Sequence, residues 1–299
     1  MRVSWADTPQ PLRDAVAGAL GSAVAGYRDL RGGMSPGPAV GLRLADGRRV
    51  FVKAESAEVR VHNHAMVLRE SAILDELPAS VPAPRRLATV ECGPWVALAT
   101  TWAAGASGAL WNDTSIAVVV RACRTVSGHR APAALVPVAE RLFGFDGWER
   151  LLKLGDSDSD GDGDPHVRPA AAMVAGWEQW TAGDALVHRD IRVDNTARGR
   201  EAILLDWAYA SAGAPWIDLA QLAADVVASG HEAGPRAAVD RAHRLLRTLP
   251  PEASRFVVGL AGMWRFRAAT IPDVVLPIAA WRRARALALR PLVARLIAE

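Results

Sequence analysis

The amino-acid sequence predicts an α+β protein in which a β-rich N-terminal region is followed by a larger, mostly α-helical one. Three observations support this. The first hundred residues hold short β-rich runs separated by turn signals, with one helical segment among them. Beyond Gly105 the apolar residues recur at helical rather than alternating spacing. A length of 299 residues with 51% hydrophobic content exceeds one typical domain and suffices for two modest cores. The expected division is 1–102 and 103–299.

In chain order, a glycine- and proline-rich loop, RGGMSPGP (31–38), precedes strands at about 38–45 and 48–54. Asp46 and Gly47 join these as a hairpin, because both tolerate the positive φ that a tight turn requires. A helix of about twenty residues follows and ends before VPAP (81–84), where proline cannot continue it. Two more strands flank ECGP (91–94). Helical patterns then run at 114–126, 135–154, 169–182, 216–229, 235–248, 252–268 and along the C-terminal stretch. That last stretch carries Leu289, Leu292, Val293, Leu296 and Ile297 at i, i+3, i+4, i+7 and i+8, an apolar stripe for docking. Between two of the helical patterns, an apolar run ending at Val187 leads through HRDIRVDN (188–195) and a hairpin at Arg198 to Arg200 into a strand, AILLDW (202–207).

Composition excludes several classes. The longest apolar runs fall short of the ~18 residues of a membrane span, and MRVSWADTPQ has neither the basic nor the apolar region of a signal peptide. Cys92 and Cys123 lack metal or redox spacing, which fits a reducing compartment. A cytoplasmic protein is expected. Net charge is +3, but the arginines are interleaved with 32 acidic residues rather than gathered in a stripe, so neither nucleic acid nor membrane is an expected partner. The acidic segment GDSDSDGDGDP (155–165) has Asp156, Asp158, Asp160 and Gly161 at calcium-loop positions but Val167 where the bidentate glutamate belongs, so it reads as a solvated loop. Nothing in the sequence specifies an oligomeric state.

Among 35 basic residues only Lys53 and Lys153 are lysines. Lys53 lies in RVFVKA (49–54), where alternation puts Val50 and Val52 on one face and Phe51 and Lys53 on the other. On a helix at 66–77, Met66, Val67, Ile73, Leu74 and Leu77 form one apolar arc with Glu70 near its middle. An unpaired ion there would cost several kcal/mol, so a cation must approach, and Lys53 is the one on offer. Asp190, Asn195 and Asp206 come from consecutive loop and strand ends. Two such oxygen-bearing groups, completed by phosphate and water, are how a protein usually holds magnesium, and the remaining aspartate could then meet a nucleophile. Taken singly, HRDIRVDN also reads as a solvated turn, and Lys53 with Glu70 as a surface pair worth under ~1 kcal/mol. Their joint order argues against that.

These features, in this order, resemble the protein-kinase-like fold and, more closely, the aminoglycoside phosphotransferase family of small-molecule kinases. HRDIRVDN resembles the family's HxDxxxxN loop, LLDW its metal-binding aspartate, VFVK its lysine strand and RESAILDEL its glutamate helix. The text GGMSPGPAVGLRLADGRRVFVK, GDALVHRDIRVDN and DWAYASAGAPWIDLA further resembles a group of such enzymes common in actinobacteria.

The resemblance implies a two-lobed fold and a reaction in which ATP, with GTP as the alternative, and magnesium serve transfer to a hydroxyl of a small molecule. It implies that Lys53 binds the α- and β-phosphates, where a compact ammonium suits better than a guanidinium, and that Glu70 holds the lysine. Asp190 would orient the acceptor hydroxyl and take its proton, Arg192 neutralise the transferred group, and Asn195 and Asp206 hold the metal. His188 and Asp218 would brace the loop. Gly33, Ser35 and Gly37 would form the phosphate loop, although their spacing is not GxGxxG. Gly32 and Gly37 imitate half a Walker A loop before Pro38 and Ala39 replace its lysine and hydroxyl residue, which disfavours a P-loop ATPase. Phe51 could stack on adenine or simply pack in the core, and Thr101 and Ala103 fall where the family's hinge meets the base. Two departures matter. Asp218 follows Asp206 by only twelve residues, leaving no room for a protein kinase's activation segment, so a peptide acceptor is not expected. Ala208 stands where many relatives carry a second acid. The rival reading is a catalytically silent kinase-like module that binds nucleotide or ligand. An antibiotic-modifying enzyme is one substrate choice within the first reading.

Overall fold

The computed structural model describes residues 2–30, 35–105, 107–155, 164–270 and 278–299. In chain order its elements are α1 (Gln10–Leu20), β1 (Val24–Asp29), β2 (Ala39–Leu44), β3 (Arg49–Ser56), α2 (Ala57–Glu76), β4 (Arg86–Cys92), β5 (Trp95–Thr101), α3 (Asp113–Ser127), α4 (Gly147–Lys153), α5 (Val167–Val174), α6 (Trp177–Trp180), β6 (Ala185–Val187), β7 (Thr196–Arg198), β8 (Ala202–Leu204), β9 (Ser211–Gly213), α7 (Ile217–Ser229), α8 (Pro235–Leu246), α9 (Pro251–Thr270) and α10 (Ile278–Ala298). The chain divides into two compact units. Met1–Gly108 with Asp194–Tyr209 form the first, and Ala109–Val193 with Ala210–Glu299 the second. The predicted α+β class holds: the first unit is built on an antiparallel sheet and the second is mostly helical.

The sheet of the first unit has the order β1-β2-β3-β5-β4, with every neighbouring pair antiparallel. Val40 pairs with Val52 and Leu42 with Val50, so the alternating apolar residues of β2 and β3 share one face. Leu12, Val16 and Leu20 of α1 are buried in the same cluster. Each buried Val or Leu contributes roughly 1.5–3 kcal/mol. Sequence reading expects one helix in these hundred residues, and the structure has two. The spacing of Leu12, Val16 and Leu20, with Pro11 in the first turn and Gly21 at the C-cap, carries the signal for the second. The opposite face of β3 presents Phe51, Lys53 and Glu55, and α2 follows with Val67, Glu70, Ile73 and Leu74 buried. The β7–β8 hairpin pairs Thr196 with Leu204, and the N–H of Leu204 donates to the carbonyl of Pro82 (2.8 Å), in the segment between α2 and β4.

In the second unit α7 is the central helix, with Ile217, Leu219, Ala220 and Leu222 all buried. Asn112 caps α3 in a capping box with Ser115. Leu289, Leu292, Val293 and Leu296 of α10 are buried as the stripe predicts, while Ile297 is only partly so. Two predicted helices are broken. The 135–154 pattern becomes a 3-10 turn at Val138–Arg141 and α4, interrupted by Gly144 at φ 78. The 169–182 pattern splits into α5 and α6 at Gly176, φ 68. Apolar spacing continues through both breaks, but each contains a glycine in the left-handed region, which a helix cannot run through. Trp177 and Trp180 join Phe145, Trp216 and Phe256 in an aromatic cluster. Among the described residues no helix is long and apolar enough to cross a membrane.

Helices α4 and α9 meet at glycine. A Cβ on Gly262 would lie 2.4 Å from Cδ1 of Trp148, whose indole N–H donates to the carbonyl of Val258 at 2.8 Å. Gly262→Ala is expected to lower the unfolding free energy by about 1–3 kcal/mol, read from urea unfolding. Gly18→Ala on α1, where a Cβ meets nothing within 4 Å, is the control and should be neutral or slightly stabilising.

Candidate active site

Strand alternation directs Lys53 away from the Val50–Val52 core face, and the buried stripe of α2 turns Glu70 towards it. The Lys53 ammonium forms an ion pair with Glu70 Oε2 and donates to Asp206 Oδ1 at 3.0 Å, joining residues 153 positions apart. Glu70 Oε1 accepts the backbone N–H of Trp207 (3.3 Å), and Arg69 Nε donates to the carbonyl of Ala208 (2.8 Å), so α2 is tied at two points to the segment after β8. Burial alone would lower the Lys53 pKa, but the carboxylates of Asp206 and Glu70 hold it above the ordinary lysine value. Burial pushes the Glu70 carboxyl up to about 7, with Lys53 opposing and the Asp206 charge reinforcing the shift. Two carboxylates thus share one ammonium.

Asp206 adopts φ 64, a left-handed conformation that aspartate tolerates better than most residues. The N–H of Leu205 donates to the carbonyl of Asn195 (2.8 Å), extending the β7–β8 ladder and setting Asn195 beside Asp206. Asn195 is buried, whereas the Asp206 side chain is 41% exposed. Among the described residues no cluster of three or more His, Cys, Asp or Glu could hold a metal. Asn195 and Asp206 could offer a cation one amide and one carboxylate oxygen, with the rest of its shell left to other oxygens, a donor set that suits magnesium. Ala208 is buried and contributes no side-chain oxygen.

In the second unit β6 pairs with β9, so the apolar run before HRDIRVDN is a buried strand and the charged residues begin where it ends. The N–H groups of His188 and Arg189 donate to Oδ2 and Oδ1 of Asp218, both at 2.8 Å. Burial raises the Asp218 pKa, and the His188 charge and these amides oppose it. The N–H of Asp190 donates to Nδ1 of His188 (3.2 Å), and Arg192 Nη1 stands 3.6 Å from Asp190 Oδ2. His188, Asp190, Arg192 and Asp218 thus form one cluster.

Of the proposed phosphate-loop residues, Gly33 lies outside the described residues. The N–H of Gly37 donates to Glu55 Oε1 (3.3 Å), and a Cβ on Gly37 would lie 2.0 Å from the carbonyl oxygen of Ala54, so only glycine fits. Burial raises the Glu55 pKa against the Gly37 amide, which opposes the shift. Sequence reading passed over Glu55. Its signal is the same alternation that selects Lys53, two residues earlier on β3.

Thr101 and Ala103 border an open cleft of about 560 Å³, together with Pro84, Trp102, Arg200 and Ile203. The Thr101 N–H donates to the carbonyl of Arg85 (2.8 Å), so that donor is taken up by the sheet. Phe51 pairs with Gly41 and Thr100, is half-buried and does not line this cleft.

The chain matches the model of the phosphotransferase enzyme family (APH) over residues 37–256. No curated protein matches it in sequence. Solved structures share its fold. An aminoglycoside phosphotransferase from Alicyclobacillus acidocaldarius subsp. acidocaldarius aligns with TM-score 0.58 and 15% identity over 97% of this chain and 95% of that one. Spectinomycin phosphotransferase APH(9)-Ia, in complex with ADP and spectinomycin, aligns with TM-score 0.60 and 10% identity over 95% and 98%. A choline/ethanolamine kinase family protein from Mesorhizobium loti aligns with TM-score 0.55 and 19% identity over 92% of each chain. The family match takes in Lys53, Glu70, the 188–195 loop, Asp206 and Asp218, and by it the chain belongs to the phosphotransferase enzyme family.

Proposed function

We propose that this phosphotransferase moves the γ-phosphoryl group of ATP, with GTP as the alternative donor, to a hydroxyl of a small molecule. The observation that supports the reading most is the Lys53 ammonium held between Glu70 and Asp206. Such a lysine is oriented and kept charged, as a group that binds nucleotide phosphates must be. Gly37, held through Glu55, would present the phosphate loop together with Gly33 and Ser35, and the cleft at Thr101 and Ala103 would border the base, with Phe51 on the lysine's face of the sheet. Asn195 and Asp206 would hold magnesium, which when bound neutralises charge on the β- and γ-phosphates.

In this reading Asp190 accepts the proton of the acceptor hydroxyl as its oxygen bonds to phosphorus. The bond from the γ-phosphorus to the bridging oxygen breaks and the nucleoside diphosphate leaves. Arg192 offsets the charge of the transferring group, and His188 and Asp218 hold the loop in place. The short link from Asp206 to Asp218, partly occupied by β9, favours a small acceptor over a peptide. An aminoglycoside-like antibiotic, a sugar or another hydroxylated metabolite is the acceptor class. Two free cysteines and an ATP-dependent reaction fit a cytoplasmic protein. The resemblance to an actinobacterial group rests on the sequence text alone.

Screening a metabolite and antibiotic library for nucleotide-dependent ADP release tests the reading. Nucleotide binding without turnover on any acceptor would instead favour the silent module. Asp190→Ala should cut turnover by about 10²–10⁴-fold while calorimetric nucleotide affinity stays nearly unchanged; unaltered turnover contradicts the assignment. Asp206→Ala should abolish the magnesium-dependent part of nucleotide affinity, and retention of that dependence places the metal elsewhere. Glu70 supplies a test by pH. Its carboxyl, raised from 4.5 to about 7, binds the proton more tightly folded than unfolded. That stabilisation is complete below the unfolded value and is lost as the pH rises through about 7. In thermal unfolding without nucleotide, wild type should therefore lose Tm relative to Glu70→Gln across that window, and a constant difference would show that the group titrates normally.

A further inference from the structure

Asp218 and Asp225 lie seven residues apart on α7, two turns along the same face and about 10.5 Å apart along the axis. Asp218 holds the start of the 188–193 segment through the amides of His188 and Arg189. Asp225, 1% exposed, holds its end. Asp225 Oδ2 accepts the N–H of Val193 (2.8 Å) and the indole N–H of Trp111 (2.9 Å). Its Oδ1 accepts the Ser229 hydroxyl (3.0 Å) and a short contact from Arg285 Nη2 of α10. A buried carboxylate with one cation and three further donors is fully satisfied and costly to disturb. At 1% exposure it is closed off from solvent.

A second chain of contacts runs from the same ion pair back to the loop. The Arg285 guanidinium lies 4.7 Å from the ring centroid of Trp281 and 5.1 Å from that of Trp264. The guanidinium of Arg192 lies 5.5 Å from the same Trp281 ring, and Arg192 stands 3.6 Å from Asp190. Asp225 therefore fixes the backbone on one side of Asp190 directly, and through Arg285 and Trp281 it sets the platform on which Arg192 rests.

We infer that Asp225 is a second positioning carboxylate for phosphoryl transfer, and that the Arg285–Trp281 pair of the C-terminal helix sets the pose of Arg192 beside Asp190. The catalytic part of this inference rests on the proposed function. The clamp itself does not. Misplacing a reacting group by ~1 Å costs about a hundredfold in rate, which sets the scale of the effect.

Two measurements on the full chain decide it. Hydrogen exchange read at peptides covering 188–193 should show the Val193 amide losing protection in Asp225→Ser, with β3 peptides unchanged as the control; unchanged protection at Val193 overturns the clamp. Trp281→Leu, at a half-buried position, should lower kcat by about ten- to a hundredfold with KM for nucleotide within about twofold, and Trp281→Phe, which keeps an aromatic face for both guanidiniums, should recover most of that loss. Full kcat in Trp281→Leu, or a phenylalanine variant no better than leucine, overturns the role of the platform. If wild type shows no turnover on any acceptor, the proposed function fails, and the exchange measurement still decides whether Asp225 holds the loop.

Discussion

The first unit depends on one partly buried charge arrangement, the Lys53 ammonium shared by the buried Glu70 and the more exposed Asp206. Glu70 sits on a stripe that is otherwise apolar, where an unpaired carboxylate would cost several kcal/mol. Lys53 relieves that cost only if β3 turns its odd-numbered residues away from the sheet core. Asp206 can share the lysine only because the segment after β8 is stitched to α2 by Trp207 and Arg69 and to Asn195 at the end of the preceding loop by Leu205. Strand, helix and hairpin must therefore be correct together.

Each unit holds one strained residue beside a proposed catalytic or metal-binding group. Among the described residues only Arg189 and Asp206 combine a side chain with positive φ. Such conformations cost on the order of 1–3 kcal/mol each and persist where the surroundings overdetermine them. Arg189 is held by the Asp218 carboxylate on its amide, and Asp206 by the lysine on its side chain and the Leu205–Asn195 bond just before it. Each strained residue directly precedes or forms a group that the proposed reaction uses.

The legible parts of the sequence were those governed by local periodicity or by a cost that only one partner can relieve. The β2–β3 hairpin, the placement of Lys53 opposite Val50 and Val52, the buried Glu70 and the 198–200 turn all follow from spacing, and the structure has each of them. Helix α1 was equally local but its short stripe went unread. The breaks at Gly144 and Gly176 were hidden because apolar spacing runs on through them, and periodicity does not register a glycine that turns left-handed. Glu55 was hidden for another reason: the amide that meets its buried carboxylate belongs to Gly37, 18 residues away in a loop with no period of its own.

By itself the sequence determined that Glu70 carries charge on a face that folds inward and must find a partner, with Lys53 as the cation on offer; the places of Asp206 and Asp218 came from a strand end and from the family resemblance. Alternation and helical period are properties of a single segment, and desolvation makes the need for a partner unavoidable. Only the tertiary structure decided who the partners are beyond the nearest candidate. Asp225 shows this most plainly, because its ties to Val193, Trp111 and Arg285 join segments 32, 114 and 60 residues away. No pattern within one element encodes such contacts; they exist only once α7, α10 and the loop are packed against each other.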